Sequence, residues 1–500
     1  MMKKRFFRCA VFAVIFVALL FAATKVLVVK FMDDNCQTYM AEGLYALDKN
    51  SVEVAISGSS QAVFCVSGME LYEKYGISSY SMGSPDQPIS CSLAWLRELN
   101  QRQSIKIAAL DVSQLFETNE ELSYRQAFDP MHLSNNKIEM VRWHVEQNED
   151  ADSMISYLFP LIKYHSRWNE VTKQDFGLNV DTDAMFLGNA LSSDVCSFDG
   201  YDDFALNENL MNTEIVEEQC EALWDYAQYC EENDIELVLF KTPKSDWCEK
   251  KSQQVQDLAK SVGVPYLDYT TREGCAQAGI DFYADFKDAE HLNTRGAEKI
   301  SRQLGAYFEK HYDLTDYRET APKSEEFMEN YHKQQEKIYF ESCTNPVEYL
   351  ETVKKRYLSK DEYDIVCQIT DGSIKTAWTD ALQMAWESCG LTTDPRELNN
   401  QAYVGCVANG ETEEWIGDSH KMTIDDFFGD DVLFRATSKA NLRATTVPKI
   451  SIIGSPKTFS AKGMNILVYR QKTQETVSMA TIFLCADGQL RIYNDSTSKK

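Results

Sequence analysis

The sequence predicts an α/β fold built on a covered parallel sheet, followed by a second, smaller α/β or α+β domain and preceded by one membrane-spanning helix. Three observations carry this prediction. Apolar runs of strand length alternate with segments of helical period from Val52 to Tyr312. The rhythm gives way to charged, aperiodic sequence from Asp313 to Lys337. The first thirty residues hold an apolar stretch of bilayer length.

That stretch follows Lys3, Lys4, Arg5 and Arg8, runs uncharged from Cys9 to Thr24 and continues past Lys25 through Val26–Val29. A helix needs about 20 apolar residues to cross a bilayer. A cleaved signal peptide is the alternative, but Phe21-Ala22-Ala23 lacks the small residue wanted three positions before a cut. Read as an uncleaved anchor with its basic residues on the cytoplasmic side, it gives a single-pass protein of the cell membrane whose remainder faces outward. Residues 1–30 are then the cytoplasmic tip and anchor.

Five hundred residues with 44% hydrophobic content exceed one core, so at least one internal boundary is expected. A net charge of -27 argues against nucleic acid and other anionic polymers as electrostatically captured partners. A neutral or weakly charged substrate fits better. The fourteen cysteines are scattered without a CxxC pair, and the seven histidines are spread out, so neither a dense disulfide framework nor a metal site is expected. No cofactor is expected.

In chain order, Met40–Leu47 reads as a short helical connector and Val52–Gly58 as a strand. Gln61–Tyr75 carries Val63, Phe64, Val66, Met69, Leu71 and Tyr72 at helical spacing. Tyr80–Pro88 is a strand end entering a turn-rich loop, Ile89–Leu99 a helix and Ile105–Asp111 a second buried strand. Alternation of this kind indicates a parallel sheet with both faces covered. Residues 118–200 interrupt it as a helical insertion with the aromatic-rich run Tyr157–Trp168. The run reads either as packing against the sheet or as a lid carrying Arg167 or His165 toward a substrate. Ile235–Phe240 and Tyr266–Asp268 resume the sheet, and Gly296–Tyr312 is an amphipathic helix.

Beyond a linker at 319–344, helices are expected at Pro346–Tyr357 and Thr376–Cys389. Strands are expected at 363–369, 402–407, 432–436, 450–453, 465–469 and 477–484.

The chemistry concentrates in two stretches. The first strand breaks at Gly58 and delivers Ser59 and Ser60 before a helix, and Asp288-Ala289-Glu290-His291 lies just before the last helix of the domain. Nucleophilic hydroxyl catalysis needs a serine, a base to take its proton and a group to fix the base's tautomer. Asp288 and His291 lie three apart, so both side chains can turn the same way. Ser60 as nucleophile, His291 as base and Asp288 as its orienting carboxylate meet the requirement.

On these residues residues 31–318 resemble the SGNH (GDSL-type) hydrolase superfamily. Gly58-Ser59-Ser60 matches its first block and Asp288-Ala289-Glu290-His291 its last. Met82-Gly83-Ser84 resembles the second block, whose glycine amide joins the serine's own amide in an oxyanion hole. The third-block Gly-x-Asn-Asp has no counterpart, and Gln87 is the substitute donor. The resemblance implies a flavodoxin-like three-layer domain. It is nearest the membrane-anchored extracytoplasmic branch that includes alginate acetylation proteins and the D-alanine transfer protein of teichoic acids. That implies an acyl group, most simply acetyl, passed through acyl-Ser60 to a hydroxyl of a cell-surface polysaccharide or oligosaccharide, beside a membrane-bound O-acyltransferase. A carbohydrate esterase with the same three residues and an inactive glycan-binding scaffold are the alternatives.

Residues 345–500 resemble the interleukin-like inducer domain, also the stem of a protein O-mannose N-acetylglucosaminyltransferase. The matching stretches are Ile450–Gly454 and Thr458–Tyr469, with Lys462 where arginine is usual. Sugar binding by this domain is what the resemblance implies.

Overall fold

The computed structural model describes the chain except residues 1, 29–36, 173, 177–182, 184, 207–210, 319–323, 360–362, 429–431, 441–446 and 496–500. Two compact units divide it, Met1–Ser192 with Cys196–Lys333 and Ser193–Val195 with Gln334–Lys500.

The first unit holds a five-stranded sheet of β1 (Val54–Gly58), β2 (Ser79–Gly83), β3 (Ile107–Asp111), β4 (Glu236–Lys241) and β5 (Tyr266–Asp268). Every pairing is parallel, in the order β2-β1-β3-β4-β5. This is the flavodoxin-like order. The first three strands are buried throughout, so they need side chains that suit a dry environment on both faces. Alternate residues serve opposite layers. Ala55, Ala108, Leu110, Leu237 and Leu239 join the core under helices Ile89–Asn100 and Glu217–Glu232. Val54, Ile56, Ala109, Val238 and Phe240 join the core under helix Thr294–His311, which contributes Ile300, Leu304 and Phe308.

Three local expectations change. Gln61–Tyr75 is two helices, Ser60–Phe64 and Gly68–Tyr75, because Ser67 is extended and its hydroxyl accepts from Glu70 N–H as a new N-cap. In the aromatic run of the insertion only Tyr157 is packed away, against Phe128 and His144, while Phe159, Ile162 and Trp168 are exposed. Part of the expected linker is helix, Glu325–Glu341, whose Phe327 and Tyr331 pack on Phe186. One turn of spacing places that pair on one face, a signal overshadowed by the surrounding charges. Residues 319–323 of the linker lie outside the described residues.

The second unit carries β6 (Tyr363–Ile369), β7 (Tyr403–Ala408), β8 (Glu411–Ile416), β9 (Lys421–Phe428), β10 (Val432–Lys439), β11 (Lys449–Ile452), β12 (Ser455–Thr458), β13 (Met464–Arg470), β14 (Glu475–Leu484) and β15 (Leu490–Asn494). They form a six-stranded sheet, β15-β14-β13-β6-β7-β8, and a four-stranded sheet, β12-β11-β10-β9. All pairings are antiparallel, which makes this unit α+β. Val366, Val404 and Leu467 face Phe434 and Ile450 across the two sheets. Ile365, Cys367 and Ile466 face Tyr349 and Leu350 of helix Pro346–Val353 and Trp386 of helix Asp380–Ser388.

Candidate active site

β1 and β2 end together, with Gly58 in register with Gly83. In a sheet of this order β1 connects to neighbours on both sides, and the crevice beyond its carboxyl end is where such folds place ligands. Gly58 turns the chain there at φ +152°, and a Cβ on it would stand 2.7 Å from Asp111 Cβ. Only glycine meets both conditions. A Cβ on Gly83 would stand 2.5 Å from the Ser59 carbonyl oxygen, so β2 and the serine turn approach with no room for a side chain.

Ser59 is extended and its hydroxyl accepts from Gln61 N–H, and Ser60 opens the short helix behind it. The half-buried Ser60 Oγ lies 2.7 Å from His291 Nε2, although the two are 231 positions apart. His291 belongs to a tight turn in which Lys287 N–H donates to its carbonyl at 2.9 Å. Asn293 closes the turn by capping helix Thr294–His311 through Arg295 and Gly296 N–H.

Asp288 Oδ1 and Oδ2 lie 3.0 and 3.1 Å from His291 Nδ1. Oδ1 also accepts from the main-chain N–H groups of Glu290 and His291, each at 2.8 Å. Burial pulls this carboxyl up, but the His291 hydrogen bond and charge, with the two N–H donors, outweigh it and hold the group down at about 2. The anion therefore fixes the tautomer with a proton on Nδ1, leaving Nε2 to accept from the Ser60 hydroxyl. Such an arrangement can generate a nucleophilic oxygen. The Phe64 ring stands edge-on to the imidazole at 5.3 Å, and Lys287 Nζ lies 4.5 Å from the Phe64 centroid and 3.7 Å from Asp288 Oδ2.

Below this surface lies a buried polar network that the sequence reading did not single out. The Gln61 amide donates to the Glu290 carbonyl. Its oxygen accepts from Thr242 Oγ1 at 2.5 Å and from Lys241 Nζ at 3.1 Å. Lys241 Nζ also reaches Asp111 Oδ2 at 3.4 Å and the Thr242 carbonyl at 3.0 Å, with neither charged side chain exposed. Its ammonium sits 5.3 Å from the centre of the Trp247 ring. Asp111 Oδ1 takes the Ser113 N–H at 3.0 Å. The network joins the ends of β1, β3 and β4 to the turn that carries His291. Lysine ending an otherwise apolar strand, in Leu239-Phe240-Lys241, is the signal that could have found it.

Cys65 is also close, accepting from Leu292 N–H at 3.4 Å, but burial pushes its thiol up to about 11. It is a protonated packing residue at neutral pH. Gln87 is not brought to Ser60. Its Nε2 donates to Ser92 Oγ at 3.0 Å, its Oε1 accepts from Ser84 Oγ at 3.1 Å, and its side chain is buried. Satisfying those buried partners turns the amide inward, away from an oxyanion role. Arg167 and His165 do not reach the site either. Arg167 pairs with Asp175 at 2.6 Å and donates to the Leu27 carbonyl at 2.9 Å, and His165 Nδ1 lies 2.8 Å from the Ile162 carbonyl. Among the described residues, no group of three or more His, Cys, Asp or Glu side chains is arranged to hold a metal.

No protein-family model and no curated protein matches the sequence. Similar solved structures include a GDSL-like lipase from Bacteroides thetaiotaomicron, 12% identical over 54% of this chain and 98% of that chain, with a TM-score of 0.24. An acetylxylan esterase from Geobacillus stearothermophilus is 9% identical over 53% of this chain and 96% of that chain, with a TM-score of 0.25.

Proposed function

We propose that residues 31–318 are an SGNH-type acyl-transfer domain, held outside the cell membrane by the N-terminal helix, that acylates hydroxyls of a cell-surface polysaccharide through acyl-Ser60. The observation that carries the chemistry is the continuous chain from Ser60 Oγ through His291 to Asp288. In the first half-reaction His291 Nε2 takes the hydroxyl proton as Oγ bonds to the acyl carbon. The resulting oxyanion collapses, and the leaving group departs with the proton that Nε2 returns. The second half-reaction repeats this with an acceptor hydroxyl, breaking the Oγ–acyl bond and restoring Ser60. The main-chain N–H groups of Ser60 and Gly83 are the proposed oxyanion donors, an assignment supported by the tight approach of β2 to the serine turn.

A specific observation favours a second reading, a carbohydrate esterase. The Asp288 side chain is 43% exposed, so water reaches the edge of the site and can serve as acceptor. The full chain in detergent, given an activated acetyl ester with and without oligosaccharide, separates the readings. Acetylated sugar supports transfer, and free acetate alone supports the esterase. Turnover that survives in Ser60→Ala overturns both. A membrane-bound O-acyltransferase is the proposed acyl donor, and co-purification of the two proteins tests that pairing.

For residues 345–500 we propose sugar binding. A groove there is lined by Thr370, Arg435, Thr437 and Lys449, which offer hydroxyl and cationic donors suited to sugar oxygens. Unchanged polysaccharide retention after Thr437→Ala and Lys449→Ala would overturn the groove as the site.

A further inference from the structure

We propose that the exposed apolar face of the helical insertion docks into the outer interface of the lipid bilayer, seating the first unit on the membrane. This rests on the reading of the N-terminal helix as a span, and it is independent of the acyl chemistry.

The helix runs Met2–Leu27, and the most apolar 18 residues within Arg5–Leu27 have a mean hydropathy of 2.5, with none of them buried by protein. Twenty-three helical residues extend about 34 Å, slightly more than a hydrocarbon core of about 30 Å. Leu20 to Leu27 therefore cover about the outermost 10 Å of the span and end where the helix leaves the hydrocarbon. The insertion meets the helix at that level. Arg167 donates to the Leu27 carbonyl at 2.9 Å, satisfying one of the acceptors a helix leaves open at its end. Leu20 and Thr24 line a hollow together with residues 158–162 and His165. Arg167 is itself held by Asp175 at 2.6 Å, so the contact is braced from the insertion side.

Around this junction the insertion presents Ile155 (55% exposed), Phe159 (56%), Ile162 (47%) and Trp168 (74%). Four large apolar side chains grouped within fourteen positions are not the scattered exposure of an ordinary surface. Their composition suits a lipid interface. From Met154 to Asn169 there is no Asp or Glu, in a chain with 77 of them. The two basic residues of the run are paired within the protein, Lys163 with Asp152 and Arg167 with Asp175, each at 2.6 Å, so the face is apolar with Trp168 at its edge. Exposed aromatic rings beside an apolar surface are what membrane boundaries favour. The face also continues the lipid-facing surface of the span, where Leu20 and Phe21 are 42% and 65% exposed. That continuity selects lipid as the occupant.

The test uses the full chain in vesicles of phosphatidylcholine and phosphatidylglycerol, with and without lipids brominated near the headgroup end of the acyl chain. Subtracting the emission of Trp168→Phe isolates the Trp168 indole, whose exposure makes the replacement harmless to the fold. Trp168 emission should fall by about twofold or more in brominated vesicles that float with the protein, as for an indole at the headgroup boundary. Flotation with unquenched Trp168 overturns the docking and leaves the span standing, with a partner protein as the occupant. Failure to float overturns the span and the docking together.

Discussion

The side-chain amide of Gln61 donates to the main-chain carbonyl of Glu290. One residue before Gln61 is Ser60, and one residue after Glu290 is His291, so this hydrogen bond ties together the two turns whose side chains must meet. If it sets their spacing, Gln61→Ala will lower the rate of Ser60 acylation by about 10- to 100-fold with a smaller effect on KM, since small misplacements of reacting groups are costly. Gln61→Glu keeps the size but loses the donor, and should be as slow as Gln61→Ala in stopped-flow acylation with an activated acetyl ester. A glutamate variant that retained full rate would show the residue acts by packing alone.

Replacement of Ser60 by alanine should abolish the acyl-enzyme adduct seen by intact-protein mass spectrometry. His291→Ala should reduce turnover by a similar factor, because the two act as one unit. Asp288→Asn leaves the shape but loses control of the tautomer, with an expected loss of about 10³- to 10⁴-fold. Adduct formation at the wild-type rate in His291→Ala would remove the histidine from the mechanism.

Asp288 should also leave a signature in acid stability. Its carboxyl has an ordinary value of 3.8 and is held at about 2 in the folded chain. A carboxyl whose pKa falls on folding stabilises the native state fully above its unfolded value, and that contribution declines as pH drops through the folded value. The stability gap between wild type and Asp288→Asn in urea unfolding should be full at about pH 5 and shrink from about pH 4 to about pH 2. A gap independent of pH through the acid window would contradict the assigned cause.

Lys241 and Asp111 form a fully buried ion pair 3.4 Å apart beneath the serine turn. Lys241→Met leaves Asp111 without its cation and should destabilise the first unit by about 3–5 kcal/mol in chemical denaturation. The double change Lys241→Met with Asp111→Asn should recover part of that loss, because no uncompensated charge remains. Additive losses would mean that the two side chains do not interact.

At Gly83 an added methyl would lie 2.5 Å from the Ser59 carbonyl oxygen. Backbone on both sides prevents easy relief, so Gly83→Ala should push β2 away from the serine turn and disturb the proposed oxyanion donors. The expected loss in acylation rate is about 10²- to 10³-fold, comparable to removing one such donor. Ser84→Ala, on the neighbouring residue, should stay within about threefold of wild type, because its hydroxyl serves Gln87 in the interior.

Local pattern determined much of this protein. The largely apolar β1, β3 and β4 announce a covered parallel sheet, the glycine after Ser57 announces the sharp turn before Ser60, and Asp288 with His291 are legible because three positions on one turn suffice to join them. An apolar N-terminal stretch is equally visible, since bilayer crossing depends on length and hydropathy. Tertiary structure decided what depends on distant partners. It carried Ser60 to His291 across 231 positions, turned Gln87 inward toward Ser92, and recruited Gln61, Asp111 and Lys241 into one buried network. The strands missed by pattern in the second unit, β8, β9, β12 and β15, are all at sheet edges. Edge strands are only partly covered, so they need no continuous apolar run and their sequences resemble loops. The exposed face at Phe159, Ile162 and Trp168 reads in sequence like core, because apolar side chains look alike whether protein or lipid is to cover them. Only the fold sets Phe159 and Ile162 beside Leu20 and Thr24 of the N-terminal helix.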